Sequence, residues 1–198
     1  MSAPSISLWL PTVRSCHEAL PWLESCCDVT PYGRTDDRRP GLAARLREPA
    51  AIGLAGLDGS RACGFWIEDE PDEFLEEYRQ LGFPGLPRPA ASAFSIYTIV
   101  SGRDNHLLVA GLAVHLADRY GEDALIDFGG VLGYHTSYAP LGEAEEEARL
   151  SQARALLAGL PGRLWEMPYR TTDGDWFSHV GDRAFLQGWM RHPDFRLF

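Results

Sequence analysis

Residues 107–117, LLVAGLAVHLA, constrain the fold more than any other part of the chain, because they are apolar on nearly every face of the helix they predict. A helix without a polar face has nothing to offer water and is buried at the centre of a protein. The expected helix spans 104–120, and the remaining elements must surround it. At 198 residues the chain can bury such a core, and it reads as a single domain over 1–198. With 45% hydrophobic and 23% charged residues it is too apolar to be disordered.

Residues 5–10 predict a strand, and 16–27 a short helix with Leu20, Leu23 and Cys27 at helical spacing. Residues 28–49, punctuated by Pro31, Gly33, Pro40, Gly41 and Pro49, predict an irregular surface loop with at most a helical turn at 42–46. Two hairpins are expected: 51–57 with 62–68 around Asp58-Gly59, and 163–169 with 175–180 around Asp173-Gly174. Helices are expected from Pro71, over 143–160, and over 183–191 behind an Asp182 cap. Residues 93–100 and 124–128 predict strands, and 195–198 a last edge strand. The fold class is therefore α+β, or mixed α/β, with a mostly antiparallel sheet packed by four to five helices. The order through Val100 suits a ferredoxin-like half.

All 18 basic residues are arginine. The absence of lysine removes the P-loop, the Schiff-base lysine of pyridoxal-phosphate enzymes and the kinase strand lysine. A formal net charge of -10 repels phosphate backbones. The arginines between Arg34 and Arg47 are diluted by Asp36, Asp37 and Glu48, so no nucleic-acid partner is expected. Cys16, Cys26, Cys27 and Cys63 form no C-x-x-C pair. No apolar run approaches the ~20 residues of a membrane span, and the N-terminus has no signal-peptide pattern. A cytoplasmic protein with reduced thiols, and with neither membrane partner nor cofactor, is the expectation.

No G-x-S-x-G or G-x-G-x-x-G motif occurs. His17-Glu18 opens a zinc-helix pattern, but Pro21 stands where the second histidine belongs. His106 and His115, nine residues apart at about 100° per residue, lie on opposite sides of their helix, so no shared metal is expected. Asp173-Gly174-Asp175 lacks the later acidic ligands of a calcium loop.

Two sets of residues stand out. Asp127 at the end of a buried strand, His135 in the next loop and His179 before the last helix could form general acid/base pairs if the fold brings them together. The acidic stretch Glu68, Asp69, Glu70, Asp72, Glu73 and Glu76, with Tyr134 and Tyr138, offers charge and aromatic anchors for a binding surface.

The opening Ser7-Leu8-Trp9-Leu10-Pro11, the central Gly102-Arg103-Asp104-Asn105-His106-Leu107 and Leu125-Ile126-Asp127-Phe128-Gly129-Gly130, and the closing His179-Val180-Gly181-Asp182-Arg183-Ala184-Phe185-Leu186 resemble a bacterial family. It is a domain of unknown function typical of high-GC actinobacteria, and the resemblance implies no catalytic residues. The leading expectation is a non-enzymatic binding protein of the immunity type, which neutralises a basic toxin domain through its acidic and aromatic surface. The alternatives are a small hydrolase or transferase using Asp127, His135 and His179, and a structural or regulatory oligomeric subunit.

Overall fold

The apolar stretch forms the middle of α3 (Arg103–Tyr120), where Leu108, Val109, Ala110, Leu112, Ala113, Leu116 and Ala117 are each at most 2% exposed. The computed structural model describes residues 3–33, 39–57, 64–81, 86–87, 89–121, 123–134, 142–171 and 174–198. Among these, eight strands build one sheet: β1 (Ser5–Leu10), β2 (Cys27–Tyr32), β3 (Gly41–Leu46), β4 (Gly64–Asp69), β5 (Ser92–Tyr97), β6 (Leu125–Asp127), β7 (Leu164–Thr171) and β8 (Gly174–Gly181). Their order is β2-β3-β4-β5-β1-β6-β8-β7, and every neighbouring pair is antiparallel. The fold is α+β with an antiparallel sheet and five α-helices among the described residues.

Alternation along the strands gives the sheet two faces. The inner face carries Leu42 and Leu46 of β3, Phe65 and Ile67 of β4, Phe94 and Ile96 of β5, Ile6, Leu8 and Leu10 of β1, and Ile126 of β6. These pack against α3, α1 (Leu20–Cys26), α5 (Arg183–Met190) and the C-terminal Phe195 and Leu197. On the outer face, Trp9, Ala93, Leu125, Val180 and Met167 form a smaller cluster under Phe74 and Leu75 of α2 (Asp72–Leu81). The remaining helix, α4 (Glu143–Ala158), buries Ala153 and Leu157. Among the described residues no helix is long and apolar enough to cross a membrane.

Three local expectations are corrected. Residues 28–49 hold β2 and β3, paired from Cys27 with Leu46 to Tyr32 with Gly41, rather than an irregular loop or a helical turn at 42–46. Sheet hydrogen bonding on both sides of β3 outweighs the scattered prolines and charges, and Pro31 sits on an edge strand, where its missing N–H costs no ladder bond. Residues 51–57 form no strand: a 3-10 turn (Pro49–Ile52) leads away, and β4 pairs with β3 and β5 instead. Asp58-Gly59 lies outside the described residues. Residues 195–198 form no edge strand, although the Phe198 carbonyl accepts a bond from the Ser5 amide at 2.8 Å. The ferredoxin-like half is not formed either: β4 and β5, joined through α2, are direct antiparallel neighbours with no strand between them.

Close approach explains two helical glycines. A Cβ at Gly111 of α3 would meet Leu54 Cδ1 at 3.0 Å and the Ile52 carbonyl at 3.4 Å, so this glycine admits the 49–57 segment against the central helix. A Cβ at Gly188 of α5 would stand 2.5 Å from Pro161 Cδ and 2.7 Å from its Cγ, atoms of a rigid ring. Glycine to alanine ordinarily stabilises a helix interior by about 1 kcal/mol. Here the sign reverses: Gly188→Ala is expected to destabilise the protein by about 1–3 kcal/mol through overpacking, read as a lower urea midpoint at unchanged m-value.

Candidate functional site

The acidic run does not form one patch, because strand alternation and a helix start divide it. Asp69 turns inward, where Oδ1 accepts from the Cys16 amide at 2.6 Å and Oδ2 from the Ser15 hydroxyl at 2.8 Å, tying β4 to the turn before α1. Glu68 and Glu70 take the other side. Glu68 accepts from the Tyr32 hydroxyl at 2.5 Å, and burial together with this carboxylate pushes the pKa of both Tyr32 and Tyr97 upward. Glu70, its side chain 9% exposed, accepts from Ser95, from Ser7 at 3.4 Å and from Arg39 at 3.4 Å. Asp72, Glu73 and Glu76 are exposed on α2. Beside Glu68 on the outer face, at the far end of the row from Glu70, the Trp66 and Tyr97 rings stack at 5.8 Å and 15°. Just beyond Tyr97, Ile99 and Val100 stand 70% and 53% exposed. Sequence reasoning missed Trp66 and Tyr97, which the outward phase of β4 and β5 would have marked as a pair.

Tyr134 is no surface anchor. It is 6% exposed, meets Trp176 edge-on at 5.8 Å and donates to Glu146 at 3.4 Å. Tyr138 and His135 lie outside the described residues.

The structure does not bring Asp127 and His179 together. Asp127 is opposite Val180 in the β6-β8 ladder, so it shares the outer face with Val180 while His179 points to the inner face. Asp127 is 3% exposed and its Oδ1 accepts from the Gly129 amide at 2.9 Å, closing the turn after β6 in which Gly129 has a φ of 65°. His179 is 1% exposed, and its Nδ1 accepts from the Leu132 amide at 2.9 Å. That bond fixes the tautomer with the proton on Nε2.

What His179 does meet is Glu166, its partner in the β7-β8 ladder, and Glu166 accepts two bonds from Arg154 of α4 at 2.6 and 2.8 Å. The Arg154 bonds hold the Glu166 carboxyl below its usual pKa. Together they line a cavity of about 420 Å³ with Leu157, Leu160 and Phe185. The ladder closes at Thr171 with Gly174, one residue earlier than a turn on Asp173-Gly174 would give. The sequence turn signal thus points to Pro168, not Glu166, as the neighbour of His179.

The model of a family of unknown function, DUF6368, matches residues 2–198. The chain belongs to that family. No curated protein and no solved structure matches it.

In this DUF6368 member, the chemistry open to His179 follows from its burial, which pushes its pKa down to about 4 against the weaker opposing pull of Glu166. Near neutral pH it is an uncharged hydrogen-bonding group. The unfolded chain takes up this proton near pH 6.5 and the folded chain only near 4, so the unfolded state binds more protons between those values. Stability therefore falls as pH drops from about 6.5 to about 4, by roughly 3 kcal/mol from this residue. His179→Asn, whose side-chain oxygen can still accept from Leu132, is expected to flatten that part of the profile, measured as the change in urea midpoint between pH 7 and pH 4.5.

Proposed function

We propose that this is a non-enzymatic, cytoplasmic binding protein of the immunity type, which neutralises a basic toxin domain by docking it on the outer sheet face around Trp66 and Tyr97. The observation that carries this reading is the stacked Trp66–Tyr97 pair, half-buried beside the Glu68 carboxylate and followed by the exposed Ile99 and Val100. Aromatic side chains at the centre of a patch supply most of the binding energy at protein interfaces. Asp72, Glu73 and Glu76 on α2 add negative charge on the solvent side, and the net charge of -10 supports fast association with a cationic partner. The partner would lay an arginine- or lysine-rich surface over the rings, where cation–π contact adds about 0.5–2 kcal/mol per cation.

The test is co-expression with the products of the adjacent reading frames in a host that a toxin among them kills. Growth rescue and a complex whose association slows steeply with added salt are expected. Ile99→Arg sets like charge against the partner at a 70% exposed position. It is expected to weaken binding at least tenfold, about 1.4 kcal/mol, with thermal stability unchanged. Failure of the chain to rescue growth or to bind any such product refutes the reading.

A further inference from the structure

The cavity between α4, β7, β8 and α5 combines apolar walls with polar groups at its floor. Its volume, about 420 Å³, lies within the range of small-molecule sites. Leu157, Leu160 and Phe185 supply the walls, and Arg154, Glu166 and His179 the polar groups. His179 is 1% exposed, and with Nδ1 occupied by the Leu132 amide its proton sits on Nε2, on a ring that lines the cavity. A ligand acceptor meeting Nε2–H would add a hydrogen bond at the cavity floor.

From this geometry we propose that the cavity binds an uncharged, planar molecule carrying a lactam or primary carboxamide edge. The charges inside are already balanced: Arg154 donates to both Glu166 oxygens, and His179 is neutral near pH 7. An ionic ligand would find no free countercharge there, because Arg154 and Glu166, 52% and 38% exposed, already pair with each other. Arg163 lines the mouth but is exposed, where pairing with an anion is worth little. The two floor groups are cross-strand neighbours, so a donor and an acceptor stand side by side about 5 Å apart at their Cβ atoms. Each Glu166 oxygen keeps one lone pair after bonding Arg154. His179 Nε2–H then meets the ligand carbonyl, Glu166 accepts the ligand N–H, and the ring lies between Leu157, Leu160 and Phe185.

The test uses the full chain with its histidine nitrogens labelled with ¹⁵N and three probes: 1-isoquinolinone, its N-methyl derivative and isoquinoline-1-carboxylate. 1-Isoquinolinone is expected to shift the His179 Nε2 resonance saturably. The dissociation constant is expected to rise at least tenfold for the N-methyl compound, which has lost the donor, and for the carboxylate. Ala158→Trp, at an exposed position lining the cavity, puts a bulky ring into it and is expected to abolish the shift. No saturable shift of His179 by the lactam up to about 5 mM, near the weak end of measurable binding, overturns the proposal. So does tighter binding of the carboxylate, or binding unchanged in Ala158→Trp.

Discussion

The burial of α3 is the constraint on which the rest depends. A helix with one apolar stripe needs one partner, whereas α3 needs partners around its circumference, and it draws them from every part of the chain. The inner face of β1 and β5 covers one side, Ile52 and Leu54 approach at Gly111, and α5 and the C-terminal Phe195 and Leu197 belong to the same cluster. Each fully buried Leu or Val contributes about 1.5–3 kcal/mol, against about 1–2 kcal/mol to order one residue of backbone. Only a segment as densely apolar as 107–117 can offset its own ordering and also fix the loops around it.

Closing the chain around that helix traps main-chain amides, and three titratable side chains receive them, His106 and His179 buried and Asp69 half-buried. Asp69 accepts from the Cys16 amide, His179 from that of Leu132 at 2.9 Å and His106 from that of Leu197 at 2.9 Å, and each bond joins segments far apart in sequence. An amide buried without an acceptor costs about 1–3 kcal/mol, so these residues act as fasteners. This accounts for the low pKa of both histidines: burial disfavours the imidazolium, and the accepting Nδ1 requires the neutral ring.

The same bonds explain what was legible in the sequence. β1, α2, α3, α4, α5 and the β7-β8 hairpin follow from local periodicity, turn residues and the Asp182 cap, which accepts from the Phe185 amide at 2.8 Å. β2 and β3 do not, because their pairing is with distant strands and their residues carry no alternation strong enough to outweigh the intervening prolines and charges. For the candidate site, residue type alone singled out Asp127, His179 and Asp69, the first two buried and Asp69 half-buried. Chain-local reasoning cannot see that Asp127 and His179 face opposite ways, since that depends on a ladder between β6 and β8. Nor can it find Arg154 and Glu166, which meet only when α4 folds over β7.

The outer face of the sheet shows how chemistry decides which half is covered. Around Trp9, Ala93 and Leu125 it is apolar, and α2 seats Phe74 and Leu75 there. Around Tyr32, Glu68, Ser95 and Glu70 it is a web of hydroxyls and carboxylates. A helix laid across that web with an apolar face would strip water from the Glu68 carboxylate without supplying new donors, a cost that opposes the gain from the area it buried. The proposed partner, carrying guanidinium or ammonium groups, would meet a smaller penalty, because it would add donors to those of Tyr32, Ser95, Ser7 and Arg39 and lay cations over the Trp66 and Tyr97 rings. The polar web that keeps this chain's own helices off the patch is thus also the feature on which the proposed docking rests.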